Sequence, residues 1–348
     1  MTKTNSGNFF ENFSLGQEIR HATPRTITEG DASLYLALFG SRFAANCAEP
    51  FAKTLGYRTT PVDDLLAFHV VFGKTVPDIS LNAVANLGYA DCRFRQPVYA
   101  GDTITTVSEV IGLKQNSNGK TGTVYVRSTG TNQNGDVVID YVRWVMVRKG
   151  NLDAPEPEAV VPDLPNRVDP ATLDVSQDLN GSNLDPVLSG SEHLWNDYSA
   201  GEKIDHVDGV TIEEAEHMTA TRLYQNTAKV HFNQFTEKDG RFGRRLMYGG
   251  HVISLARAIS FNGLANAFSV VAINGGRHVA PCFAGDTVFA WSEVLETADT
   301  NNPTIGALRL RTIATKDRPC GDFPAEADKG YEDGIVLDLD YWVLMPKR

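Results

Sequence analysis

The chain repeats itself, and this repeat constrains its fold more than any other feature. The segment 13–21, Phe-Ser-Leu-Gly-Gln-Glu-Ile-Arg-His, returns at 198–206 as Tyr-Ser-Ala-Gly-Glu-Lys-Ile-Asp-His. The segment 97–103, Pro-Val-Tyr-Ala-Gly-Asp-Thr, returns at 281–287 as Pro-Cys-Phe-Ala-Gly-Asp-Thr, at nearly the same offset. A repeat of this length indicates two duplicated domains and not a solenoid of short units.

A proline-rich segment separates the two halves. We predict a first domain at 1–150, an extended connection at 151–194 and a second domain at 195–348. The connection shows little hydrophobic periodicity, which is typical of a linker that runs along a surface. It holds six prolines: Pro155, Pro157, Pro162, Pro165, Pro170 and Pro186.

Both halves carry the same helix signals. Thr26–Glu29 and Thr211–Glu214 each match a capping box, in which a hydroxyl and a carboxylate satisfy backbone N–H groups of a first helical turn. A second helix is expected near 63–74 and near 251–262. Both of these segments are apolar nearly all round, so both helices must be buried.

Strands follow the second helix in each half. Asn118-Gly119 and Asn134-Gly135 are strong hairpin signals between β-rich runs. A buried helix wrapped by an antiparallel sheet is the hot-dog fold of the α+β class, and two copies are expected to pair into one continuous sheet. The strands are predicted at 103–113, 121–131 and 136–148, and at 286–296, 305–315 and 335–346.

The composition of the chain argues against several classes of partner and cofactor. The formal net charge of −11 argues against nucleic acid as a partner. No apolar run is long enough to span a bilayer and no signal peptide opens the chain, so we expect no membrane association and a cytoplasmic location. The four cysteines stand far apart and form no metal-ligand spacing. We therefore expect no metal and no redox cofactor.

Short motifs in both halves carry a family resemblance. Ala100-Gly101-Asp102 and Ala284-Gly285-Asp286 stand at strand starts, and Tyr248-Gly249-Gly250-His251 enters the second buried helix. With these motifs the chain resembles the MaoC-like hydratases and dehydratases. Within that family the string 224–233, Tyr-Gln-Asn-Thr-Ala-Lys-Val-His-Phe-Asn, looks like the mesaconyl-CoA hydratases, also called β-methylmalyl-CoA dehydratases.

The resemblance implies a hydro-lyase that acts on a branched dicarboxylic enoyl-CoA, and it assigns three catalytic positions. His231 stands where the family has its catalytic histidine, and an imidazole can act as base and acid in turn. Asn226 replaces the family's aspartate and cannot donate a proton, so it is expected to position water or His231. The Gly250 N–H is expected to stabilise the thioester oxyanion.

Because Asn226 replaces the family's aspartate, the group that transfers the second proton is not identified by the motif. Either His231 moves both protons, or a nearby carboxylate takes part, the candidates being Asp31, Asp63, Asp64 and Glu214. In the first half, Ser41 and Asn46 occupy the two motif positions. This half therefore resembles the non-catalytic, substrate-holding half of fused family members, and the second half is expected to be catalytic.

A substrate with a free carboxylate and CoA phosphates calls for cations. We expect Lys229, Arg222 and Arg245 to bind substrate, with Arg244 also nearby and His251 beside the site. The other histidines are interpreted as structural: His21, His69, His193, His206, His217 and His278.

Three other readings stay open at this point. The chain could hydrate fatty enoyl-CoA or enoyl-ACP, which predicts a long apolar tunnel. It could be a hot-dog thioesterase that releases free CoA. It could also be an acyl-CoA-binding scaffold whose site has decayed. The family resemblance further suggests a homodimer of such fused chains.

Overall fold

The computed structural model describes residues 3–348, and the same plan of elements occurs in both halves. The helices of the first half are α1 (Glu29–Phe39), α2 (Ala44–Cys47), α3 (Glu49–Thr54) and α4 (Asp64–Thr75). Its strands are β1 (Glu18–Thr26), β2 (Ala83–Phe94), β3 (Thr103–Gln115), β4 (Thr121–Thr131) and β5 (Val137–Arg148).

The second half follows a short helix in the connection, α5 (Pro186–Ser189). Its helices are α6 (Glu214–Leu223), α7 (Lys229–Phe232), α8 (Gln234–Glu237), α9 (Gly249–Ile259) and α10 (Phe261–Leu264). Its strands are β6 (Lys203–Thr211), β7 (Ser269–His278), β8 (Thr287–Asp299), β9 (Ile305–Lys316), β10 (Glu326–Ala327), β11 (Gly330–Tyr331) and β12 (Ile335–Pro346).

Ten of the described strands form one antiparallel sheet that crosses both halves. Their order is β1-β3-β4-β5-β2-β7-β12-β9-β8-β6. The halves join where β2 pairs with β7, with Cys92 opposite Ile273 and Arg93 opposite Ala272. The predicted continuous sheet of two hot-dog units is therefore confirmed.

The long helices α4 and α9 lie on one face of this sheet and share a single apolar core. Every residue of α4 from Leu65 to Thr75 is buried, as its nearly unbroken apolar sequence predicted. Asp63 accepts a hydrogen bond from the Leu65 N–H at 2.9 Å and so caps this helix. Both buried helices are thus confirmed within one or two residues at their starts.

The connection covers part of the opposite face. Side chains alternate between the two faces of a strand. Along β12, Tyr341 and Val343 belong to the helix-side core, whereas Trp342 and Leu344 pack with apolar side chains of the connection. These are Val168, Leu173, Val175 and Leu179. The connection thus packs its apolar side chains against the outer face of the sheet.

The two predicted capping boxes are wrong by two residues. Thr26 and Thr211 end strands β1 and β6, and their hydroxyls are hydrogen-bonded to Thr103 and Thr287 at 2.8 and 2.9 Å. Helix α1 is instead capped by Thr28, which exchanges hydrogen bonds with Asp31. At α6 the N-cap is Glu213, whose side chain makes no capping bond.

Four strands of the sheet were not predicted. These are β1 and β6 at its two edges and the strands β2 and β7, which join the halves.

In the described part of the chain, no helix is long and apolar enough to cross a membrane.

Candidate active site

The loop after α6 carries the two motif residues of the second half. Asn226 is buried, and its side-chain oxygen accepts a hydrogen bond from the Ala228 N–H at 3.1 Å. This Asx turn leads the chain into α7, which holds His231 in its third position. Asn226 therefore shapes the loop that carries His231.

His231 is held in one tautomer. Its Nδ1 donates to the Leu246 carbonyl oxygen at 2.8 Å, which leaves Nε2 with a free lone pair. Removal from water lowers the pKa of His231 to about 4, and the hydrogen bond to Leu246 only partly offsets this. At neutral pH the ring is an uncharged base.

The start of α9 lies beside His231. The Tyr248 ring, at the N-cap, stands 5.6 Å from the His231 ring, centroid to centroid. In the described part of the chain the Gly249 and Gly250 N–H groups have no hydrogen-bond acceptor. Free N–H groups at a helix N-terminus attract negative charge, so this helix start suits an oxyanion.

Both glycines are required by close packing. A Cβ atom on Gly250 would lie 2.5 Å from His69 Cε1 and 2.4 Å from Tyr248 Cε1. A Cβ atom on Gly249 would lie 2.3 Å from His278 Cε1. Only glycine lets these aromatic rings approach the helix start.

His231, Gly249 and Asn226 border one cleft of about 340 Å³ between the two halves. The second half also supplies Met247, Tyr248 and His278. The first half supplies Phe72, Val76, Ser80, Asn86 and Arg143. We call this the interdomain cleft. Of the residues that the structure describes, no aspartate or glutamate lines it.

His278 lines the cleft, although a structural role was predicted for it. Its Nε2 lies 3.3 Å from the Tyr89 hydroxyl. Burial, and next the nearby His231, lower the pKa of His278 to about 4. His278 ends strand β7, whose position was not predicted, so nothing in the sequence linked it to His231.

The expectation that His251 binds substrate is wrong, because the residue is buried away from the cleft. This residue is 1% exposed, does not line the cleft, and packs against the His217 and Phe39 rings. His217 accepts the Tyr248 N–H at 2.9 Å, and His69 contacts the Tyr248 hydroxyl at 3.3 Å. These three histidines support the helix start from behind.

The candidate cations are spread over the cleft's surroundings. Lys229 and Arg222 are exposed, and Arg222 borders a separate depression with Asn226. Arg245 is engaged by Glu214 in an ion pair of 2.5 Å. Arg241, which the sequence analysis did not single out, does line the cleft.

The four candidate carboxylates all serve elsewhere. Asp31 caps α1 and pairs with Arg25, and Asp63 caps α4. Asp64 accepts the Val270 N–H at 2.8 Å, and Glu214 binds Arg245. None of them lines the cleft.

The corresponding loop of the first half is filled. Asn46 is buried and donates to the Pro61 carbonyl, while Phe43 packs under the Arg257 guanidinium at 3.5 Å. A larger cavity of about 620 Å³ does lie between this half, the connection and the second half. Among the described residues it is lined by no histidine, by the two arginines Arg58 and Arg95, and by five carboxylates: Asp64, Asp102, Asp136, Asp174 and Asp178. Its charge suits an anionic thioester poorly.

Fold and cleft together define the class as a fused double hot-dog protein of the MaoC-like kind. A crystal structure of a putative MaoC domain dehydratase from Chloroflexus aurantiacus superposes with a TM-score of 0.97 at 62% identity, covering all of both chains. A Mycobacterium tuberculosis protein with a double hotdog fold superposes with a TM-score of 0.79 at 24% identity over 98% of this chain and 99% of its own.

Sequence comparison resolves the class further. The family model for mesaconyl-CoA hydratase matches residues 1–321. The chain is 64% identical to a β-methylmalyl-CoA dehydratase of Chloroflexus aurantiacus over 99% of both chains. It is 56% identical to a mesaconyl-CoA hydratase of Cereibacter sphaeroides over 99% of this chain and 100% of that one. The chain belongs to the mesaconyl-CoA hydratase family.

Proposed function

We propose that this chain catalyses the reversible hydration of mesaconyl-CoA to β-methylmalyl-CoA in the interdomain cleft. The observation that carries this proposal is that the neutral imidazole of His231 lines the same cleft as Gly249, at a helix start whose first N–H groups have no acceptor among the described residues. A base and an oxyanion site are the two groups that addition of water to an enoyl thioester needs. The high identity to two relatives with these names supports the substrate.

We assign the proton transfers to His231. In the hydration direction Nε2 removes a proton from water, the hydroxide adds to the β-carbon, and the thioester oxygen becomes an enolate oxygen. The imidazolium then returns the proton to the α-carbon, so that H and OH have been added across the double bond. Because the described carboxylates do not line the cleft, one imidazole moving both protons is the simpler of the two open alternatives.

The remaining cleft groups act by position. Gly249 lines the cleft, whereas Gly250 is buried beside it and is not among the lining residues. The Gly250 N–H is assigned to the thioester oxygen together with the Gly249 N–H. Asn226 holds the His231 loop through its bond to Ala228. His278 is assigned to orient the water or the thioester, since its neutral ring can donate one hydrogen bond and accept another.

The CoA phosphates are assigned to the basic residues outside the cleft. Lys229 and Arg222 are exposed and free to meet a phosphate, and Arg241 lies at the cleft itself. Arg245 is assigned a supporting role, because Glu214 already engages it. These contacts are charge-assisted and should weaken as salt rises.

A substrate panel separates this function from its rivals. Purified protein is incubated with mesaconyl-CoA, crotonyl-CoA and a saturated acyl-CoA, and enoyl absorbance and free thiol are followed. We expect loss of enoyl absorbance with mesaconyl-CoA and no thiol release. A preference for crotonyl-CoA would favour a fatty enoyl hydratase, thiol release a thioesterase, and no reaction at all a scaffold.

We further propose a cytoplasmic enzyme with the domain division 1–150, 151–194 and 195–348, acting as a homodimer without nucleic-acid or membrane partners. Four unpaired cysteines fit a reducing compartment. Light scattering of the purified protein tests the dimer, for which a mass near twice 38.0 kDa is expected.

A further inference from the structure

Arg143 is a buried cation without a counter-ion. It lies on β5 of the first half, is 0% exposed, and lines the interdomain cleft. Within residues 3–348 it makes no ion pair with a carboxylate. Its Nη2 donates to the Thr75 hydroxyl at 2.6 Å and approaches the Ser80 hydroxyl at 3.4 Å. Its Nε and Nη1 are buried and have no acceptor.

An unpaired buried guanidinium is costly, because burial removes its hydration and nothing replaces the water. Burial accordingly lowers the pKa of Arg143, although the group stays charged. The Phe72 ring lies under it at 4.2 Å and restricts where it can turn. Such an arrangement indicates that the missing anion is supplied by a ligand.

A second unpaired polar group lines the same cleft. Both side-chain atoms of Asn86, Oδ1 and Nδ2, are buried without a partner. Buried amides are nearly always hydrogen-bonded, so this residue also lacks its natural partner. Its Nδ2 is a donor that can meet a carboxylate oxygen next to a cation.

We propose that Arg143 and Asn86 bind the free carboxylate of the substrate and so select dicarboxylic over monocarboxylic enoyl-CoA. This rests on the proposed function, and it places substrate selection in the half that lacks the catalytic motif. Neither residue was singled out in the sequence, where the candidate cations were Lys229, Arg222 and Arg245.

The position of Arg143 fits the short acyl group. In mesaconyl-CoA the free carboxylate is attached directly to a carbon of the double bond, so it must bind close to the reacting atoms. Arg143 lies over Phe72, whose ring is 5.5 Å from Tyr248, and Tyr248 is 5.6 Å from His231. Guanidinium and catalytic imidazole thus border the same small space from opposite halves.

Binding of two unreactive ligands tests the proposal separately from catalysis. Methylsuccinyl-CoA and 2-methylbutanoyl-CoA differ in one carboxylate and carry no double bond to hydrate. We expect the wild type to bind methylsuccinyl-CoA more tightly by roughly 10- to 100-fold, as for a buried charge-assisted hydrogen bond. Arg143→Met should abolish this preference and leave 2-methylbutanoyl-CoA affinity within about threefold.

Two further variants complete the test. Arg127→Met removes an arginine of the neighbouring strand that is paired with Asp91 and Asp140, and should keep the ligand preference. Asn86→Asp places a negative charge where the carboxylate should bind, and should weaken methylsuccinyl-CoA selectively. Since an unpaired buried charge contributes no stability, Arg143→Met should also not lower the melting temperature.

The outcomes are distinct from those for the proposed function. If Arg143→Met and Asn86→Asp keep the wild-type preference, or if both ligands weaken equally, the carboxylate assignment is wrong. Should the wild type show no preference, it is wrong as well. Mesaconyl-CoA turnover by the wild type is measured separately, and its absence would refute the function itself.

Discussion

The protonation of His231 is decided by one hydrogen bond and by burial. The bond from Nδ1 to Leu246 leaves Nε2 free, and burial lowers the pKa to about 4. The general base that we propose His231 to be works only in its neutral form, so the free enzyme should be competent at any pH above this value. An anionic substrate in the cleft would raise the pKa again and so ease proton uptake.

The lowered pKa of His231 determines where activity is lost on the acid side of the pH profile. We expect kcat/KM for hydration to fall as pH drops through about 4, and not around the ordinary histidine value near 6.5. The measurement uses enzyme stored at pH 7 and diluted briefly into each assay buffer. An acid limb centred near 6.5 would mean that the base is a solvent-exposed imidazole.

Two substitutions of Asn226 distinguish its effect on the position of His231 from the effect of a charge at this site. Asn226→Ala removes the acceptor of the Ala228 N–H, should cost about 1 kcal/mol of local stability, and should lower kcat. Asn226→Asp keeps an acceptor and adds a charge near His231, which favours the protonated imidazole. Its acid limb should therefore move to higher pH while the melting temperature stays near wild type. An unchanged pH profile would contradict this placement of residue 226.

Hairpin signals in the first half, and the repeat that carries them to the second half, predicted six of the ten strands of the sheet. Tertiary pairing supplied the rest. The strands next to Asn-Gly turns begin and end within a few residues of their expected bounds. The joining strands β2 and β7 contain Gly88 and the Gly275-Gly276 pair, and β2 lacks regular alternation of buried and exposed residues. They are strands because each completes the other's hydrogen bonding across the halves, which a local pattern does not encode.

Local sequence patterns also explain which residues of the candidate site could be predicted and which could not. His231, Asn226 and the glycines could be predicted as site residues because they stand in linear motifs. His278, Arg143 and Asn86 lie on strands β7, β5 and β2, and only folding brings them to the cleft. His251 was misplaced because its neighbour Gly250 lies at the helix start, whereas the turn of the helix directs His251 into the core.

The close packing of Gly250 at the start of α9 can be tested against a matched glycine in helix α1. Gly250→Ala should lower activity by at least about tenfold and reduce the melting temperature, because the new methyl group displaces His69 or Tyr248. Gly30 is likewise the second residue of a helix, α1, but its nearest neighbour would be the Thr28 hydroxyl at 3.5 Å. Gly30→Ala should be close to wild type in both measurements. Equal effects of the two changes would contradict the close packing at α9.

Across the whole molecule, buried neutral histidines make the fold sensitive to acid. Burial lowers the pKa of His69, His206, His217 and His251 to between about 2 and about 4. An unfolded chain binds these protons already near pH 6.5, so the free energy of unfolding falls as pH drops below that value. Two buried carboxyls act in the opposite sense: burial raises the pKa of Asp64 to about 7 and also raises that of Asp63. The four histidines outnumber them.

Thermal unfolding between pH 7 and pH 5 measures this balance. The melting temperature should fall with decreasing pH, with net uptake of more than one proton on unfolding. His193→Ala, which removes an exposed histidine, should leave the slope unchanged. A melting temperature that is flat or rises over this range would mean that the core histidines are not buried in neutral form.

We propose that the duplicated fold uses one cleft for chemistry, and the two halves offer equivalent positions at which to test this. Mesaconyl-CoA hydration is compared in His231→Ala and Asn46→Ala, each against wild type, with folding checked by melting temperature. Loss of a general acid–base group typically costs about 10²–10⁴-fold, so His231→Ala should fall by that factor or more. Asn46→Ala should stay within about threefold of the wild-type rate. A His231→Ala enzyme that hydrates mesaconyl-CoA at the wild-type rate would contradict the account.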